Sequence, residues 1–191
     1  MATINVTPQT FELVNFQASD IESLAQEVAA AVDLPETATI NIEVEESEMM
    51  GRSSSKVDGD VITIDVSGGA FESLRKAREF APERCKAVLG QALMRARDRL
   101  DPSFGDPPSD EEIPVQLEAA WSTYIEGRLH RKGVLEGRPQ RRIYHFRVRH
   151  GFNDDVDRIF DQLWNGEGLT WADIEKLSEQ AQQSPASAAS A

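Results

Sequence analysis

The chain has 191 residues, of which 40% are hydrophobic and 28% charged, and 33 acidic against 20 basic side chains give a net charge of −13. Such a chain fits one globular domain, or one domain with a helical appendage. The negative charge argues against a general DNA-binding protein and against binding to anionic membranes. No apolar run approaches the roughly 18 residues of a membrane span, and Met1–Gln9 lacks the features of a signal peptide. We expect a cytoplasmic protein, and its one cysteine excludes an internal disulfide or a cysteine-rich zinc site.

Positive charge is concentrated in one short segment of the chain. Residues 126–150 carry eight basic and two acidic side chains, whereas residues 1–125 and 151–191 have charge balances of −13 and −6. Arginine outnumbers lysine by 15 to 5 in the whole chain, and its planar guanidinium group suits forked contacts with carboxylates or phosphates. The same segment holds all three histidines, which are His130, His145 and His150.

Three strands are predicted in the first half of the chain, at Thr10–Phe16, Thr39–Glu46 and Val61–Val66. The second and third alternate apolar and polar residues, as half-buried strands do. Between them, the polar stretch Arg52–Asp60 indicates the loop of a wide hairpin or a flexible flap. We therefore expect these two strands to pair as antiparallel neighbours in a small, mainly antiparallel sheet.

Three helices are predicted in the same half, over residues 19–32, 71–80 and 82–100. The first follows a capping box formed by Ser19 and Glu22. The third begins at Pro82, where a missing amide costs nothing, and continues with an apolar stripe at helical spacing. Helices on one face of a small sheet predict an α+β fold.

The second half of the chain is predicted to be mainly helical. A helix begins near Ile113, and Ile143–Arg149 alternates like a strand, although a helix stays possible there. Further helices are expected at Asn153–Trp164 and after a capping box at Thr170. The predicted organisation is an α+β domain at 1–105, a helical extension with the basic segment at 106–181, and a disordered tail at 182–191.

Signals for catalytic chemistry are weak in this sequence. Gly68 and Gly69 lie between a strand and a helix, the context of an anion site, but no lysine or third glycine accompanies them. Cys85 lies in the first turn of a helix but on its apolar stripe, which favours a buried structural thiol. Glu43 and Glu45 point the same way on a strand, as an acid/base pair must, but solvated strand faces show the same pattern. The histidines have no metal-clamp spacing, and neighbouring arginines would repel a dication.

The order of elements from Ser19 to Asp101 is helix, strand, polar loop, strand, Gly-Gly turn and helix. This order resembles the small bacterial zincin-like domains related to minimal metallopeptidases, in which strands precede a helix whose HExxH motif binds zinc and activates water. The resemblance places Gly90 and Met94 at the zinc histidines and Gln91 at the general base. It therefore implies a degenerate scaffold without its metal and without peptidase activity, and we expect no cofactor and no catalytic residues.

The preferred functional hypothesis is a non-catalytic interaction module that binds through its basic segment. The candidate binding residues are Arg128, Arg131, Arg141, Arg142, Tyr144, His145, Phe146, Arg147 and Arg149. An acidic protein is the expected partner, because a net charge of −13 repels nucleic acid. Two alternatives stay open: a hydrolase with unidentified catalytic residues, and nucleic-acid binding in which Tyr144 and Phe146 stack on bases. For the arginines themselves, the favoured explanation is internal neutralisation, by the acidic N-terminal layer or by the aspartates of the next helix, ahead of a docking site.

Overall fold

A computed structural model of the chain describes residues 1–183. The chain divides into two compact units, Met1–Leu100 and a second unit that begins at Asp101. Of the tail predicted at 182–191, Gln182 and Gln183 instead belong to the last helix, and residues 184–191 lie outside the described part of the chain. The described helices and the one sheet confirm an α+β fold.

The first unit contains a four-stranded sheet and three helices. In chain order these are β1 (Thr3–Thr7), α1 (Ala18–Ala31), β2 (Thr39–Glu45), β3 (Ser53–Asp58), β4 (Val61–Ser67), α2 (Gly68–Phe71) and α3 (Pro82–Leu100). Helices α1 and α3 pack against each other, α1 also contacts β1, and α3 also contacts β3.

The sheet is mixed, so the prediction of a mainly antiparallel sheet is wrong. Its strand order is β1-β2-β4-β3, with β1–β2 and β2–β4 parallel and β3–β4 antiparallel. Helix α1 connects β1 to β2, as parallel strands require. Residues 46–52 then carry the chain past the end of β4, where Ser67 N donates to Arg52 O at 3.0 Å. Strand β3 therefore forms the edge of the sheet, and β4 lies between β2 and β3, parallel to β2.

Three local predictions in this unit are also wrong. The predicted loop contains β3, whose polar residues form a ladder with β4 after a turn in which Gly59 has a φ of 55°. The first strand is Thr3–Thr7, because these residues pair with β2, whereas Thr10–Phe16 contributes aromatic rings to the core instead. The helix predicted at 71–80 lies earlier in the chain and is shorter: α2 spans Gly68–Phe71 and begins directly after β4.

Alternation correctly identified the buried faces of β2 and β4. Ile40, Ile42, Ile62 and Ile64 are all fully buried. Helix α1 also lies where its apolar stripe predicts, but it begins at Ala18 after Gln17, with no side-chain cap. The predicted Ser19–Glu22 capping box is therefore wrong, because Ser19 already lies inside the first turn.

The second unit contains four helices within the described residues: α4 (Val115–Arg131), α5 (Pro139–His150), α6 (Asp154–Asn165) and α7 (Trp171–Gln183). The strand predicted at Ile143–Arg149 is wrong, because this segment is the body of α5. Asn153 caps α6 by accepting from Val156 N at 2.9 Å. The capping box of α7 is confirmed, with Thr170 N donating to Asp173 Oδ2 at 2.9 Å and Asp173 N to Thr170 Oγ1 at 3.2 Å. Helix α4 packs against each of the other three.

Candidate functional site

The surroundings of Cys85 and Gly69 fit packing roles. Cys85 is fully buried, and burial raises the pKa of its thiol to about 12, so it is not a ready nucleophile. A Cβ atom on Gly69 would lie 1.9 Å from the carbonyl oxygen of Met49, and one on Gly68 would lie 3.4 Å from that of Glu46. The close approach of the 46–52 loop therefore explains Gly69 without a bound anion, whereas the contact at Gly68 is an ordinary one.

The carboxylates on β2 do not form an acid/base pair. Glu45 accepts hydrogen bonds from the backbone N and the Oγ of Ser47, at 3.1 and 2.6 Å. These bonds lower the pKa of Glu45, which makes it a weaker base, and both Glu43 and Glu45 are exposed on the strand face. Their geometry fits the solvated strand face that the sequence also allowed.

The three histidines have unrelated surroundings. His130 Nδ1 accepts from Gly137 N at 3.0 Å in the loop after α4. His145 is exposed on α5, whereas His150 is buried with Nδ1 3.1 Å from Phe146 O and Nε2 3.0 Å from Ser178 Oγ. Within residues 1–183, no group of three or more His, Cys, Asp or Glu side chains is placed to hold a metal ion.

Burial of His150 predicts that the protein loses stability in mild acid. Burial lowers the pKa of His150 below its ordinary value, and the hydrogen bond to Phe146 O opposes this only in part. As the pH falls through about 6.5, the unfolded ring binds a proton that the folded ring does not yet bind. The free energy of unfolding should therefore decrease between about pH 7.5 and 5.5, and this dependence should weaken in His150→Gln.

Urea titrations at the two pH values measure this effect. All three tryptophans, Trp121, Trp164 and Trp171, lie in the second unit, so their fluorescence reports its unfolding. The exposed His145 provides the comparison, and His145→Gln should change the pH dependence less. An unaltered pH dependence in His150→Gln would contradict the assignment.

Five arginines of the basic segment make contacts within the second unit. Arg147 Nε donates to Asp157 Oδ1 at 2.7 Å, and Arg142 pairs with Glu126. Arg131 donates to the backbone carbonyls of Trp164 and Gly166 at the C-terminal end of α6, where a cation is favoured. The Arg128 guanidinium lies 4.0 Å from the centre of the Tyr124 ring. Arg138 also pairs with Glu136 at 3.6 Å, so internal contacts account for more than half of the segment's positive charge.

A second group of side chains in and after α5 faces solvent. Tyr144, Val148 and Phe152 are 59%, 50% and 59% exposed, which is unusual for large apolar residues side by side. Arg141 and Arg149 flank them, and neither side chain makes a hydrogen bond or an ion pair with any residue from 1 to 183. We call this surface the α5 outer face; it consists of Arg141, Tyr144, His145, Val148, Arg149 and Phe152.

Helical geometry explains why these residues share one face. At about 100° per residue, the five members within α5 span an arc of about 140°. Phe146 and His150 lie on the opposite side, where their rings stack with centroids 4.1 Å apart. Phe146 is fully buried, so the expectation that it stacks on a ligand is wrong. The ring of Phe152 lies 6.3 Å from that of Tyr144 instead.

His145 adds an uncharged ring to the α5 outer face at neutral pH. Partial burial, together with the charges of Arg142, Arg141 and Arg149, lowers the pKa of His145. Sequence reasoning included His145 but missed Val148 and Phe152. The spacing of residues 144, 148 and 152, four and eight apart, was the signal that could have identified them.

No family model matches the chain, and neither a curated protein nor a solved structure matches it. None of the helices within residues 1–183 is long and apolar enough to cross a membrane.

Proposed function

We propose that this protein is a non-catalytic interaction module whose α5 outer face binds an acidic protein. The observation that carries the proposal is the exposure of Tyr144, Val148 and Phe152 between two arginines that have no hydrogen bond or ion pair to the described residues 1–183. An apolar centre with a charged rim is the usual anatomy of a protein-binding patch. Aromatic and arginine side chains also contribute most of the binding energy in such patches.

Charge counting favours a protein over a nucleic acid as the partner. Affinity for nucleic acid rises with the number of phosphates that cations neutralise. The other arginines of the segment are engaged within the second unit, which leaves Arg141 and Arg149 as the two on the α5 outer face without a hydrogen bond or ion pair to residues 1–183. Two phosphate contacts are few against the repulsion from a net charge of −13. An acidic protein segment, by contrast, also gains binding energy from apolar contacts, so two arginines are enough to pair with its carboxylates.

The proposal includes a degenerate zincin-like scaffold in a cytoplasmic protein. Support comes from the element order, in which α1 and the strands of the sheet precede the long helix α3. In α3, Gly90 and Met94 are buried at the positions that the resemblance assigns to zinc histidines. Neither residue type binds zinc well in this setting, because structural and catalytic zinc sites use His, Cys or carboxylate ligands.

Purified protein should therefore contain no stoichiometric zinc. Elemental analysis after dialysis measures the metal content directly. About one zinc per chain, lost on mutating His145 or His150, would contradict the proposed scaffold.

Titration with a defined acidic peptide tests the proposed function. The probe is a fluorescent helical peptide with leucine at every third or fourth position and glutamate between. Wild-type protein should bind it about tenfold more tightly than the same peptide with glutamine in place of glutamate. Fluorescence anisotropy measures both affinities at low salt, where surface charges are least screened.

Two charge-reversal variants locate the binding surface. Arg141→Glu with Arg149→Glu should weaken binding about tenfold, whereas Arg75→Glu with Lys76→Glu, in an exposed loop of the first unit, should not. Equal effects of both variants would contradict the α5 outer face as the site. A thymidine oligonucleotide that binds wild type but not the Arg141/Arg149 variant would identify a nucleic-acid module instead.

A further inference from the structure

His145 lies at the centre of a row of basic side chains on the α5 outer face. Arg141, His145 and Arg149 follow one another at intervals of four residues, so they occupy adjacent turns of the helix with Cβ atoms about 5–6 Å apart. All three side chains are exposed, and none makes a hydrogen bond or an ion pair with any residue from 1 to 183. A carboxylate that pairs with either arginine therefore lies within one helical turn of the His145 ring.

Apolar side chains of the same face lie directly beside this basic row. Tyr144 and Val148 follow Arg141 and His145 at a spacing of three residues, which makes them neighbours on the helix surface. The ring of Tyr144 lies 6.0 Å from that of His145 and 6.3 Å from that of Phe152. An acidic segment that packs its apolar side chains on Tyr144 and Val148 therefore brings its carboxylates against the basic row.

The charges that act on His145 within the protein are positive. Partial burial lowers the pKa of His145, and the charges of Arg142, Arg141 and Arg149 lower it further. At neutral pH the ring is therefore uncharged, and the row carries two cations. Protonation of the ring in mild acid gives the row a third cation between the two arginines.

Carboxylates from the neighbouring helices bond to other side chains of α5. Glu126 of α4 pairs with Arg142, and Asp157 of α6 pairs with Arg147. Helix α7 contacts α5 through the uncharged hydroxyl of Ser178. A carboxylate brought by the partner is therefore a new negative charge beside the basic row.

We propose that His145 makes binding of the acidic partner depend on protonation, so that the α5 outer face holds carboxylates more tightly in mild acid than at neutral pH. The inference rests on the proposed function, because it concerns the regulation of the same surface. A partner carboxylate favours the protonated ring, so bound His145 takes up its proton at a higher pH than free His145 does. Binding therefore takes up protons and strengthens as the pH falls from about 7.5 to about 5.5, a range in which glutamate carboxylates stay ionised.

Anisotropy titrations of the glutamate peptide at about pH 7.5 and about pH 5.5 test this inference. Wild-type protein should bind about fivefold more tightly at the lower pH, near the upper limit for one exposed ion pair. His145→Gln should match the wild type at the higher pH, where the ring is uncharged, and should change less than about twofold on acidification. The other acidic and basic groups of the protein are the same in this variant, so the difference isolates His145.

His145→Arg places a permanent cation at the centre of the row. At about pH 7.5 this variant should bind the peptide about as tightly as the wild type does at about pH 5.5, and acidification should have little further effect. His130→Gln, which removes a histidine outside the α5 outer face, should keep the full pH dependence. Circular dichroism at the lower pH establishes that each variant is folded.

The possible outcomes separate this inference from the proposed function. Wild-type affinity that does not rise on acidification, or a His145→Gln variant that keeps the full rise, would overturn the inference. The proposed function would then stand, provided that the peptide binds at neutral pH. A peptide that binds at neither pH would contradict the proposed function itself.

Discussion

Phe146→Ala should destabilise the second unit by about 3–5 kcal/mol, the usual cost of deleting a fully buried aromatic side chain. Phe146 is fully buried between the ring of His150, at 4.1 Å, and the ring of Phe160, at 6.0 Å. Removing it leaves a cavity between α5 and α6. Urea unfolding followed by tryptophan fluorescence measures the loss, because all three tryptophans lie in this unit.

Tyr144→Ala is the matched control for this prediction. Its side chain lies two residues away on the same helix but is 59% exposed, so the free energy of unfolding should change by about 0.5 kcal/mol or less in dilute protein. Equal costs for the two substitutions would contradict the orientation of α5, and with it the composition of the α5 outer face.

Gly127→Ala should destabilise the same unit by roughly 3 kcal/mol, the upper end of the usual cost of overpacking. A Cβ atom on Gly127 would lie 2.0 Å from the carbonyl oxygen of Trp164 and 2.8 Å from its carbonyl carbon. Backbone of α6 must therefore move away from α4. The movement disturbs the Arg131 contacts at the end of α6 and outweighs the roughly 1 kcal/mol that alanine gains over glycine in a helix.

Gly51→Ala provides the control for added volume. The nearest atom to a Cβ on Gly51 is the Cα of Ala70, at 3.5 Å, which is an ordinary contact. Its cost should stay below about 0.5 kcal/mol, as for most surface substitutions. A neutral Gly127→Ala variant would mean that α4 and α6 are not in close backbone contact at this point.

Hydrophobic alternation was sufficient to predict the central strands β2 and β4 from the sequence, but it did not predict the edge strand β3. Ile40 and Ile62 alternate with polar residues because one face of each strand packs against helices, and this pattern is visible in sequence. Strand β3 has no such pattern, since the Ser53–Ser55 stretch is held by backbone hydrogen bonds to β4. The direction of β4 depends on how the 46–52 loop crosses it, a long-range property that periodicity does not contain.

The α5 segment shows how a short pattern can mislead. Tyr144, Phe146 and Val148 alternate with polar residues, and their aromatic and β-branched side chains favour a strand. Pro139 at the start and Asn153 before the next helix are helix signals, and the structure follows them. In a helix, Phe146 lies on a different face from Tyr144 and Val148. Phe146 is therefore buried, whereas Tyr144 and Val148 are exposed.

Composition identified the basic segment, but tertiary contacts decide which arginines are free for binding. Asp157 and Glu126 neutralise Arg147 and Arg142, and both pairs join different helices. No spacing rule within the segment distinguishes these arginines from Arg141. The candidate site could therefore be located to about 25 residues from sequence, and its binding face required the packing of α4, α5 and α6.

The proposal that the α5 outer face binds an acidic protein is tested most directly by reversing the charge of its two arginines. Anisotropy titrations compare the glutamate peptide with a lysine counterpart of the same leucine spacing, on wild type and on Arg141→Glu with Arg149→Glu. The wild type should prefer the glutamate peptide, and the variant should prefer the lysine peptide, because the apolar contacts are retained while the rim charge changes sign. An unchanged preference in the variant would show that binding does not occur at this face and would contradict the account.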